Sequence, residues 1–93
     1  MPTPVASPWK FTFRQNVHMY SHDLRASHGA TEYQIPCEDT VVDGVIGVWP
    51  YDLKIDGEVY RSLVDALVRW ATAEELRCRI YTTSSSFVPV NDP

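Results

Sequence analysis

From Trp9 onward the chain alternates. Phe11, Phe13, Val17 and Met19 fall on one side of an extended backbone and Thr12, Arg14, Asn16 and His18 on the other, the period-2 pattern of a half-buried strand. The run is long for one strand, so Gln15-Asn16 marks a turn or bulge that splits it into a hairpin. Residues 21–30 are polar, contain Gly29 and show no clean period, and they read as a loop. Alternation returns over Thr31, Glu32, Tyr33, Gln34 and Ile35, and Pro36 stops that strand or confines it to an edge.

Residues 40–49 carry the strongest local signal. Asp43-Gly44 lies between β-branched runs, which suits a two-residue hairpin turn whose central residues need positive φ. Gly47 inside the second run indicates a bulge or a close backbone approach, and Pro50 ends it.

A helix follows. At about 100° per residue, Glu58, Arg61, Ser62, Asp65, Arg69 and Thr72 share one arc, and Val59, Tyr60, Leu63, Val64, Ala66, Leu67, Val68, Trp70 and Ala71 fill the rest. The pattern breaks at Glu74, Glu75 and Arg77, so the helix ends near residues 71–73. Asp56 is the expected N-cap. A rival reading makes residues 55–58 a hairpin and starts the helix after Ser62. Thr72-Ala73-Glu74-Glu75 resembles a capping box, which hints at a second short turn. Leu63, Leu67 and Trp70 are the expected core, and emptying a buried Trp70 site costs about 3–5 kcal/mol. The apolar sector is wider than one sheet covers, which calls for the terminal arms or another chain on its flanks.

Cys78, Ile80 and Thr82 alternate with Arg79, Tyr81 and Thr83 as a last strand. The elements predict an α+β domain: an antiparallel-rich sheet of about four or five strands with one long amphipathic helix packed on one face, in the order β-β-β-β-α-β. Residues 1–8, with Pro2, Pro4 and Pro8, form an extended arm. Residues 9–83 are the domain, and residues 84–93 are a tail or an edge strand.

Length admits one such domain and not two, since 93 residues split in half would leave cores too small to stand alone. Charge adds an asymmetry that the net value of −4 conceals. Residues 32–75 hold Glu32, Glu38, Asp39, Asp43, Asp52, Asp56, Glu58, Asp65, Glu74 and Glu75 against Lys54, Arg61 and Arg69. No basic stripe is present to neutralise phosphates, so nucleic acid is not an expected ligand. The acidic middle suits a basic protein partner, or serves solubility alone. The start has neither a basic segment nor an apolar one, and no run approaches the ~20 apolar residues of a membrane span. A cytoplasmic, reducing setting is therefore expected, with Cys37 and Cys78 as thiols.

Candidate chemistry is sparse. His18, His22 and His28 lie near Asp23, but structural zinc sites bring paired cysteines at short spacing, and neither cysteine has a close companion. Glu38 and Asp39 beside Cys37 oppose a nucleophilic thiolate. Gly-rich phosphate loops, Gly-x-Ser-x-Gly and His-Glu-x-x-His are absent from the sequence. Catalytic residues, metal and cofactor are accordingly all expected to be none. Trp49, Pro50 and Tyr51 either seal a core edge or form a binding hot spot. The expected activity is binding of a protein partner, as an inhibitor, immunity factor or adaptor, through Glu38, Asp39, Asp43, Trp49, Tyr51 and Asp52. The alternative is a small ligand-binding or enzymatic domain whose pocket forms across a homodimer from His22, His28, Glu38 or Tyr33.

Overall fold

The computed structural model describes residues 8–42, 44–55 and 57–91. Its elements are β1 (Trp9–His18), β2 (Ser21–His28), β3 (Thr31–Ile35), β4 (Cys37–Asp39), β5 (Ile46–Val48), α1 (Gly57–Ala73), β6 (Cys78–Tyr81) and β7 (Phe87–Val90), with a 3-10 turn at Pro50–Leu53. All seven strands join one sheet in the order β1-β2-β4-β5-β6-β7, with β3 also paired to β2. Every pairing is antiparallel except β5 with β6, the strands that α1 connects. The domain is therefore α+β with one helix and a mostly antiparallel sheet, as expected. The strand count and order are not: seven strands replace four or five, and the order is β-β-β-β-β-α-β-β.

The main correction is residues 21–30. They form β2 and the turn after it, and β2 lies inside the sheet with β1 on one side and β3 and β4 on the other. Its inward side chains are His22, Leu24 and Ala26, all buried. A histidine and an alanine in two of those places hide the period from a hydrophobicity reading, since burial here follows position more than side-chain polarity. The first hairpin turns at Met19-Tyr20, and Gln15-Asn16 belongs to a bulge before it: the register shifts between Arg14 and His18, with Asn16 at φ 55°. Across the Asp43-Gly44 hairpin, the paired strands are β4 and β5, so residues 40–42 are loop and not strand. Gly44 takes φ 78° in a turn that the Val45 N–H closes on the Val42 carbonyl, while Asp43 lies outside the described residues.

The helix runs as its pattern predicts, which excludes the rival hairpin at residues 55–58; Asp56, its expected cap, lies outside the described residues. The turn expected around Thr72-Ala73-Glu74-Glu75 is the one that closes the helix. The Leu76 N–H bonds the Ala71 carbonyl and the Glu75 N–H bonds Thr72, with Glu75 left-handed at φ 56°, a Schellman closure without glycine. Asn91 Nδ2 adds donors to the Ala71 and Leu76 carbonyls, tying the end of β7 to the end of the helix. Residues 87–90 are thus an edge strand paired to β6.

Leu63, Ala66, Leu67 and Ala71 bury against Leu24, Ile35, Val48, Cys78 and Ile80 to make the core. Trp9 is buried too, and its Nε1 donates to Ser62 Oγ at 3.0 Å. Trp70 corrects another expectation. It is half-buried at the core margin, with Phe11 and Phe13 at ring separations of 5.4 and 5.9 Å, so it does not carry the full weight of a buried tryptophan. The helix flanks are only partly covered by the sheet: Val64 and Val68 are half-buried and Val59 is exposed, while all of the expected arm (residues 1–8) except Pro8 lies outside the described residues. No described helix is long and apolar enough to cross a membrane.

Candidate functional site

On the face of the sheet away from α1, strand alternation exposes a row of aromatic side chains. In β6 the buried Cys78 and Ile80 alternate with half-buried Arg79 and Tyr81, which therefore point to the open face. Tyr81 pairs with Phe87 of β7, and their rings lie 5.3 Å apart. Trp49, just after β5, stacks on Tyr81 at 5.4 Å with planes only 7° apart. The Arg79 guanidinium sits 5.0 Å from the centre of the Phe87 ring, within cation–π range.

Gly47 makes room for this row. A Cβ at that position would meet Trp49 Cη2 at 2.5 Å and Cζ2 at 2.8 Å, with Thr40 Cγ2 at 3.1 Å. The glycine read from sequence as a bulge or close approach is the latter: the indole lies over bare backbone. Tyr81 is stacked on the same indole, so Trp49 cannot yield without disturbing the stack. Gly47→Ala is expected to lower stability by about 1–3 kcal/mol, the usual cost of overpacking. It is also expected to abolish the near-ultraviolet circular dichroism of the Trp49–Tyr81 pair; an unchanged spectrum and melting curve would contradict this placement.

The residues expected to bind a partner are divided by the sheet. Glu38 is on the open face, paired in register with Gly47 and accepting a 3.5 Å bond from Ser21 Oγ. Asp52 is exposed on the 3-10 turn, its N–H on the Trp49 carbonyl, and Tyr51 beside it is half-buried. Glu38 thus shares the open face with Trp49, and Tyr51 and Asp52 follow Trp49 on the 3-10 turn. Asp39 is elsewhere, in a cleft of about 490 Å³ lined by Gln15, Asn16, Tyr20 and Thr40 among others. Asp43 lies outside the described residues.

In that cleft, buried His22 makes two hydrogen bonds through its ring. Nδ1 accepts the Asn16 N–H at 2.9 Å, so the ring proton sits on Nε2 and is donated to Asp39 Oδ1 at 2.7 Å. This pair pins the bulge of β1 to β4, and both ring nitrogens are engaged in doing so. His28 is near the other end of β2, six residues and about 20 Å away at 3.3 Å per residue, with its ring 4.6 Å from that of Trp9. Tyr33 also packs on Trp9, at 5.8 Å. His22, His28, Glu38 and Tyr33 therefore do not meet within one copy of the chain. The His18 side chain is outside the described residues.

Cys37 and Cys78 are free and buried, both facing the helix. The strand β5 separates them, so two inter-strand spacings, about 9–10 Å, stand between their backbones, too far for a disulfide. Burial pushes the Cys37 thiol up to about 12, with Cys78, Asp39 and Glu38 adding to the effect. Burial likewise pushes Cys78 up to about 11. Both are poor nucleophiles.

Sequence reasoning found Trp49 and missed Arg79, Tyr81 and Phe87. The signal was present: alternation set Arg79 and Tyr81 opposite Ile80, and a glycine in the neighbouring strand left space for a large ring. Phe87 was hidden because residues 84–93 read as a tail or an edge strand without a partner, whereas the serines at 84–86 close a hairpin through bonds of the Thr82 and Thr83 N–H groups to the Ser86 carbonyl. Compared with protein-family models, curated proteins and solved structures, the chain matches none.

Proposed function

We propose that this protein acts by binding another protein, in the manner of an inhibitor, immunity factor or adaptor, through the open face of its sheet around Trp49, Tyr81 and Phe87. One observation carries the reading. Three aromatic rings pack together on the face that α1 does not cover, Trp49 stacked on Tyr81 and Phe87 tilted against it, where the core has no need of them, and Phe87 remains 42% exposed. Rigid aromatics beside an arginine are the composition of interface hot spots, and pre-stacking lowers the ordering cost of association. Glu38 on that face and Asp52 on the turn after Trp49, with a net charge of −4, favour a basic partner.

Rim charge acts mainly on association and buried aromatic area on dissociation. With a partner isolated from the native host, Trp49→Ala is expected to raise the off-rate and weaken binding by about 2 kcal/mol or more. Glu38→Lys with Asp52→Lys is expected to lower the on-rate and flatten its salt dependence. Folded variants of both kinds binding with wild-type kinetics would remove this face from consideration.

A further inference from the structure

At the opposite end of the sheet, β1 pairs with β2 alone among the described strands, and beyond Trp9 its outer edge faces away from the sheet. Which backbone groups face outward follows from register. β2 and β3 form a hairpin of two loop residues, Gly29 and Ala30, with Gly29 at φ 61° in the first position, so the flanking pair His28–Thr31 exchanges both hydrogen bonds. Bonded pairs recur every second residue, so Leu24 and Ala26 also bond β3. Asp23, Arg25 and Ser27 must then bond β1, through their partners Arg14, Thr12 and Lys10. Phe11 and Phe13 are left to direct N–H and C=O out of the sheet edge.

The same two residues send their side chains towards the helix, where Phe11, Ala66 and Trp70 line an apolar groove of about 500 Å³ with Trp9, Lys10 and Arg69. An extended chain laid along β1 would find a backbone ladder and, at every second position, an apolar seat. Its alternate residues would meet Lys10, Thr12 and Arg14, exposed on the open face, where β1 offers no acidic residue. A second copy of β1 paired there would crowd Lys10 and Arg14 against Lys10 and Arg14, whereas acidic side chains would complement them. We infer that the β1 edge accepts, by antiparallel strand addition, an extended partner segment that alternates apolar and acidic residues. This surface is separate from the aromatic face, so the chain can engage two partners at opposite ends of its sheet.

The probe is a blocked eight-residue peptide of alternating valine and glutamate, titrated to about 1 mM against the labelled full chain by nuclear magnetic resonance. The expected result is saturable binding that shifts the amides of β1 and the Trp70 indole. In antiparallel pairing, the peptide residues opposite Phe11 and Phe13 are the valines, so N-methylation at valine should weaken binding at least tenfold, and at glutamate less than threefold. Lys10→Glu with Arg14→Glu should also weaken it at least tenfold, while Trp49→Ala should leave it unchanged, keeping this test apart from that of the aromatic face. No saturable binding, equal binding of a peptide with valines and glutamates in separate blocks, or indifference to valine N-methylation would overturn the inference. A dimer in sedimentation with protected Phe11 and Phe13 amides would overturn it too, by naming a second copy as the occupant.

Discussion

Replacing Leu67 by alanine is expected to lower the unfolding free energy by about 2–5 kcal/mol. Leu67 sits near the centre of α1 with 1% of its surface exposed, inside the core that the helix forms with the sheet. Truncation leaves a cavity that neighbouring Leu63, Ile80 and Val48, themselves fully buried, cannot collapse into without losing contacts of their own. For a domain of this size the loss corresponds to a fall of roughly 10–25 °C in melting temperature. Val59→Ala, at an exposed position on the same helix, should change stability by less than about 0.5 kcal/mol. Equal melting temperatures for the two variants would mean that the helix presents a different face to the sheet.

Alkaline pH is expected to unfold the protein through its two thiols. In the unfolded chain both lose their protons near pH 9, while in the native state burial holds Cys37 to about 12 and Cys78 to about 11. Between those limits the unfolded state binds fewer protons, so stability falls as pH rises. The contribution is fully present below pH 9 and is lost progressively towards pH 12. The slope is on the order of 1 kcal/mol per pH unit for each thiol, several kcal/mol over the window. Burial also raises Tyr60, which acts in the same direction. Denaturant unfolding at pH 8, 9 and 10 checks this: stability should decline, and decline less steeply in the double variant Cys37→Ala, Cys78→Ala. A flat profile, or rapid thiol labelling of the native protein at pH 8, would contradict the burial of both residues.

What could be read from sequence was what a strong period imposes. The helix was legible because nine apolar and six polar positions separate cleanly at 100° per residue, and β3 and β6 because they alternate without interruption. β2 was not, since His22 is buried for its bonds to Asp39 and Asn16 and Ala26 for its size, and neither reason shows in hydrophobicity. The candidate surface was half legible for a related reason. Trp49 and Glu38 were visible as chemistry, but their association with Tyr81, Phe87 and Arg79 depends on β5 and β6 lying parallel across a helical crossover, a long-range pairing that no local pattern encodes. Asp39 looked like a neighbour of Glu38, and the alternation of a strand put it on the other face.

Which face meets the partner is read directly by hydrogen exchange of the complex. Protection is expected at β5, β6 and β7 and through residues 49–52, with the outer helix positions Glu58, Arg61, Asp65 and Arg69 exchanging as in the free protein. Protection confined to α1, or to the Met19-Tyr20 turn and the cleft around His22 and Asp39, with β6 and β7 unchanged, would contradict it.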